Sequence, residues 1–171
     1  MTVMPSGLRV IIAEIEGKLG DEATDPADEH ARWNLYVRAA EVEHCWPQLR
    51  EAIALEEDRA VASSLVVRML ERVPAEERED WSCLLPAEED RDFALRRARE
   101  LNFLEAVLLG SPEEERGDLR FETWSPWLQL RLAGSSEDRD ILALLAESGA
   151  TRRIRAGAAA RRRSLGDTEK H

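Results

Sequence analysis

The sequence predicts an all-α fold, a stack of short antiparallel helix pairs, and three observations carry that expectation. Strand signals are nearly absent: no long segment alternates with period two, and no Asn-Gly or Asp-Gly dipeptide marks a hairpin. Apolar residues recur instead at helical spacing. Seven prolines, at 5, 26, 47, 74, 86, 112 and 126, punctuate the chain where helices can begin.

The elements follow in order. Leu8, Ile11, Ile12, Ile15 and Leu19 form one apolar stripe over 6–19, and Gly20 stops that helix. Asp25-Pro26 offers a capping side chain and a first helical residue for a helix over 26–44. Within it Trp33, Val37 and Ala40 make a stripe with Tyr36 at its edge. Pro47 opens a helix over 47–56. Val61, Leu65, Met69 and Val73, with Ala62, Val66 and Leu70 beside them, define 59–73. Pro74 and Pro86 precede helices at 75–84 and 88–108, each with acidic residues in the first turn, where they oppose the positive end of the helix dipole. Ser125-Pro126 caps and starts 126–133. Ile141, Leu142 and Leu145 place a helix at 137–147, with Gly149 as a left-handed closing residue. A last helix spans 151–164. Segments 20–25 and 110–124 read as connections, the second with room for one helical turn.

The 171 residues are 43% hydrophobic and 35% charged, a globular composition long enough to bury one core. One all-α domain over 1–165 is expected, with 166–171 fraying. No apolar run approaches the roughly 18 residues of a membrane span. The N-terminus shows no secretory leader pattern, and two cysteines are too few for a disulfide framework, so the cytoplasm is the expected location.

Charge is uneven. The chain carries −11, residues 151–171 carry +5, and the remainder −16. An acidic body of that kind repels polyphosphate and attracts basic partners. Arginine outnumbers lysine by 22 to 2, which reads as codon bias of a GC-rich genome. The triplets Glu57-Asp58-Arg59, Glu89-Asp90-Arg91 and Glu137-Asp138-Arg139 recur at offsets of 32 and 48. They fit either degenerate helix-pair repeats or the general preference of acids for helix starts.

Short alternating helices with proline starts, and the stretch from Ile141 to Arg155, resemble the HEAT and armadillo class of helical repeats, in particular the last repeat of small HEAT-like proteins of high-GC bacteria. The resemblance covers about a fifth of the chain. It implies a right-handed α-solenoid or compact helical array, a curved scaffold that binds another macromolecule.

Four constellations bear on chemistry. Glu41 and His44 have the Glu-x-x-His spacing of di-iron bundles, but no second such motif exists: position 27, three before His30, is alanine. His44 and Cys45, adjacent on a helix, point about 100° apart and do not readily share one metal ion. Cys83, in Trp81-Ser82-Cys83-Leu84-Leu85, reads as a buried small apolar residue. Neither a Walker-type nor a dinucleotide glycine loop is present. No catalytic residue, metal ligand or cofactor is therefore assigned.

Two surfaces remain. Five tryptophans, Trp33, Trp46, Trp81, Trp124 and Trp127, fill the core or anchor a partner. Asp28, Glu29, Trp33 and Tyr36 are the expected partner-binding set, for a basic protein such as a toxin or nuclease that this chain would inhibit as an immunity-type protein. The alternative is a nucleic-acid or repair function through Arg152, Arg153, Arg155 and Arg162, or a metal-dependent helical enzyme. HEAT-like DNA glycosylases are a precedent for nucleic-acid work, but with basic grooves. At the level of the whole chain, the acidic body argues against duplex DNA binding at moderate salt.

Overall fold

A computed structural model describes residues 5–20, 23–112, 116–117 and 119–168. Among them all regular structure is helical, with no strand. The helices are α1 (Ser6–Leu19), α2 (Glu29–Ala39), α3 (Trp46–Leu55), α4 (Arg59–Leu70), α5 (Arg78–Ser82), α6 (Glu88–Leu108), α7 (Pro126–Ser135), α8 (Arg139–Ser148) and α9 (Arg152–Thr168). Short 3-10 turns lie at Glu43–Cys45, Ala75–Glu77 and Phe121–Thr123, the last being the helical turn expected within 110–124. Residues 113–115 and 118 of that connection, and 169–171 of the tail, lie outside the described residues.

The chain divides into two compact units, up to Ala98 and from Arg99 onward. In the first, α1 lies against α2 and α3, and α4 against α2 and α5. Its core holds Leu8, Ile12 and Ile15 of α1, Leu35 and Tyr36 of α2, Leu49 and Ile53 of α3, Leu65 and Met69 of α4, and Trp81 of α5. Trp46 meets Trp81 edge-on at 6.5 Å, and the Arg50 guanidinium covers the Trp81 ring at 4.4 Å. In the second unit α9 lies against α7 and α8. There Phe103, Trp124, Leu128, Leu132, Leu142, Leu145, Ile154 and Ala158 form the core. Buried Gln129 joins its ends, donating to the Trp124 carbonyl at 3.1 Å and accepting from the Ala150 N–H at 2.8 Å.

Leu8, Ile11, Ile12 and Ile15 of the α1 stripe are buried as their spacing predicts, Leu19 is half-buried, and Gly20 ends that helix at φ 70°. Helix α2 differs at both ends. Asp28, not Asp25, caps it; Asp25 accepts from the Ala27 N–H at 3.0 Å in a turn ahead of the helix. It closes at Ala39, since Val42 is extended (φ −127°) before the 3-10 turn. Its buried face is Arg32, Leu35, Tyr36 and Ala39, so Tyr36 sits inside while Trp33 and Val37 are half-buried at the flank. The expected stripe was one step out of phase because the buried Arg32 completes the face. Gly149 is also corrected: its φ is −58°, not left-handed. Glycine is needed there for space, since a Cβ would lie 2.5 Å from the Leu145 carbonyl oxygen and 2.8 Å from Ile154 Cγ2. Helix α9 runs to Thr168, beyond the 164 expected.

Asp58 and Asp138 cap α4 and α8 in the same manner, each carboxylate accepting from the second and third residues after it. Asp90 lies inside α6 instead. Two of the three recurring triplets are thus capping signals.

Candidate interaction site

The N-terminal ends of α2 and α4 lie side by side in the first unit, and each is fixed by its cap. Asp28 Oδ1 accepts from the N–H groups of His30 at 2.9 Å and Ala31 at 3.4 Å. Asp58 Oδ1 accepts from Ala60 at 2.9 Å and Val61 at 3.1 Å. The juxtaposition brings Glu29 and Asp58 to one patch of surface. The Val61 N–H, with help from Ala60 and the charge of Arg32, holds the Asp58 carboxyl below the usual carboxylate range.

Between these ends lies an open depression of about 280 Å³ lined by Glu29, His30, Trp33, Asp58, Val61 and Ser64. Trp33 supplies an apolar wall. The His30 ring stands at the rim, 84% exposed, with Nδ1 3.7 Å from Glu29 and 3.8 Å from Asp28.

A buried ionic pin underlies the site. Arg32 Nε and Nη2 each donate to one oxygen of Glu56 at 3.1 Å, and Arg32 Nη1 donates to the Pro26 carbonyl at 2.9 Å. The Tyr36 hydroxyl donates to Glu56 at 3.2 Å, and the Asp58 N–H to the other Glu56 oxygen at the same distance. Burial alone would lower the Arg32 pKa, but the Glu56 carboxylate outweighs it and raises it. Burial first, then Glu56, pushes the Tyr36 hydroxyl well above its ordinary value. The pin ties the approach to α2 to the α3–α4 connection, and so holds Glu29 beside Asp58.

Of the four expected partner-binding residues, Asp28, Glu29 and Trp33 come together at the surface. Tyr36 does not: it is 0% exposed and serves the pin, which corrects its assignment as a surface anchor. Asp58 was missed. Its capping role is legible in Glu57-Asp58-Arg59, but its place beside Trp33 is a tertiary contact with no local signal. A cation–π contact to the Trp33 face and charge-assisted bonds to Glu29 and Asp58 together suit a lysine or arginine side chain.

The other candidates lie elsewhere. Glu41 and His44 are not on one helix, since α2 ends at Ala39. Glu41 instead accepts from Arg68 Nη2 at 2.7 Å and from Arg72, and these two arginines, Arg72 first, hold its carboxyl below the usual range. The His44 carbonyl accepts from Lys18 at 2.6 Å. No cluster of three or more His, Cys, Asp or Glu with metal-site geometry occurs among the described residues. Cys83 is exposed, against the buried position expected, because it follows the short α5 in the turn before Leu85; Cys45 is buried, and burial raises its thiol pKa.

In the second unit Arg152, Arg153 and Arg162 are exposed on α9. Arg155 is half-buried and donates to the Gly149 carbonyl at 2.6 Å. Trp124 is core, and Trp127 is half-buried 5.5 Å from the Arg131 guanidinium. No helix among the described residues is long and apolar enough to cross a membrane.

No protein-family model, curated protein or solved structure matches this chain.

Proposed function

We propose that this protein is a non-catalytic protein–protein interaction module that takes a basic partner at the Trp33 depression, in the manner of an immunity or inhibitor protein acting on a cationic toxin or nuclease. The observation that carries the reading is one half-buried tryptophan walled by two carboxylates, Glu29 and Asp58, held over a buried ion pair. Around it the first unit has twelve basic and twenty-two acidic side chains, a net −10. A field of that sign accelerates encounter with a cationic surface, and a desolvated aromatic anchor then slows dissociation. A HEAT-like stacking of helix pairs and a cytoplasmic, bacterial setting complete the reading.

The test starts from the partner recovered by co-purification from the native host and identified by mass spectrometry. Trp33→Ala should weaken that complex at least tenfold, mostly through faster dissociation. Glu29→Lys should slow association and flatten its salt dependence. Asp28 and Asp58 are helix caps, so asparagine, which caps equally well, is the substitution to use there. Unchanged association and dissociation in both Trp33→Ala and Glu29→Lys would remove this face from the function.

A further inference from the structure

The outward face of α9 has a pattern that the acidic site does not use. From Arg152 to Gly166 there are six arginines and no acidic residue, and Asp167, four positions after Arg163, is the first acid of the helix. Ile154 and Ala158 face the core, and Arg161 is bound to the Ser136 carbonyl. Arg152, Arg153 and Arg163 are exposed, with no hydrogen bond or ion pair among the described residues, and between them Ala156 and Ala160 are exposed as well, whereas Arg162 lies half a turn round the helix from Arg153, on another side. At 100° and 1.5 Å per residue, Arg152 and Arg163 lie nearly in line about 16 Å apart, with the two alanines on the same side between them. The result is a helix face that is basic at both ends and bare in the middle.

We infer that this face docks on double-stranded DNA, with the alanine turns seated in the major groove and the arginines at each end reaching phosphates on opposite sides. B-DNA's major groove is about 12 Å wide and admits a helix, whereas the deep, narrow major groove of duplex RNA does not. The helix face presents no aromatic ring on which unpaired bases could stack. A membrane is a poorer fit, because an interfacial helix needs a large apolar side on the lipid and α9 has its apolar side in the core. Arg152 and Arg153 also stand at the N-terminal end of α9, where the helix dipole adds to their positive potential rather than offsetting it. The acidity of the whole chain is the opposing consideration. It falls mostly in the first unit; the second has twelve basic and thirteen acidic side chains, a net −1.

The experiment is titration of the full chain with a fluorescent 30-base-pair duplex. Three phosphate contacts give a salt slope of roughly −2.7, so binding present at 50 mM salt should weaken about 40-fold by 200 mM. The triple variant R152A/R153A/R163A should lose at least tenfold in affinity at 50 mM, and Ala160→Glu should lose as much by blocking the seat while keeping the arginines. Trp33→Ala should bind DNA normally, which separates this surface from the acidic site; circular dichroism checks that every variant is folded. Three results would overturn the inference: no binding by the parent chain at 50 mM, equal binding by the triple variant, or duplex RNA or single strands bound as tightly as duplex DNA.

Discussion

Arg32 and Glu56 meet through two parallel hydrogen bonds of 3.1 Å, buried in the first unit under the Trp33 depression. Removing one member strands the other charge away from water. Arg32→Ala or Glu56→Ala should therefore cost about 3–5 kcal/mol, read as a shift of the urea midpoint. Replacing both with apolar residues of similar volume should recover most of that loss. Such a double variant would also show whether the pin acts on the site, because Glu29 would lose its register against Asp58 without global unfolding.

Tyr36 tests the same network more gently. Tyr36→Phe removes one hydrogen bond to Glu56 and leaves the ring's packing in place. The expected loss is about 1 kcal/mol, measured by the same urea titration.

Stability at acid pH should depend on the capping aspartates. The folded Asp58 carboxyl titrates below its ordinary value because the Val61 N–H, then Ala60, bind its charged form. Its contribution is complete above the unfolded value of about 3.9 and disappears as pH falls through the lower folded value. Burial would raise Asp138, but the Ile141 N–H and the Arg116 guanidinium outweigh burial and lower it. Asp58→Asn keeps the cap and removes the titration. The variant should lose less stability than the parent between pH 5 and pH 2, followed by thermal melts across that range.

Gly149 is a steric requirement. Gly149→Ala forces a methyl against the Leu145 carbonyl and Ile154, and that backbone atom has little room to move. The substitution should destabilise the second unit by about 1–3 kcal/mol. A melt unchanged from the parent would show that the α8–α9 corner yields more easily than its contacts imply.

Helix positions were largely legible because the signals that set them are local. Proline at the start of α7, Gly20 after α1 and the apolar stripes of α1, α4 and α8 each act within a turn or two of chain. Helix α2 was misjudged because its inner face includes a charged residue, Arg32, whose burial depends on Glu56, twenty-four residues away. The same distance problem hid the site: Asp28, Glu29 and Trp33 are near each other in sequence, but Asp58 joins them only through packing of α2 on α4. Cys83 was misplaced because its apolar neighbours Trp81 and Leu85 turn inward while the turn residue between them does not.

The contrast between the two thiols has a practical use. A maleimide dye applied to the native chain should attach at Cys83 alone, giving a singly conjugated reporter without mutagenesis. Cys45 becomes available only when its surroundings open, so a second adduct, counted by mass after timed exposure, would clock how often the first unit loosens.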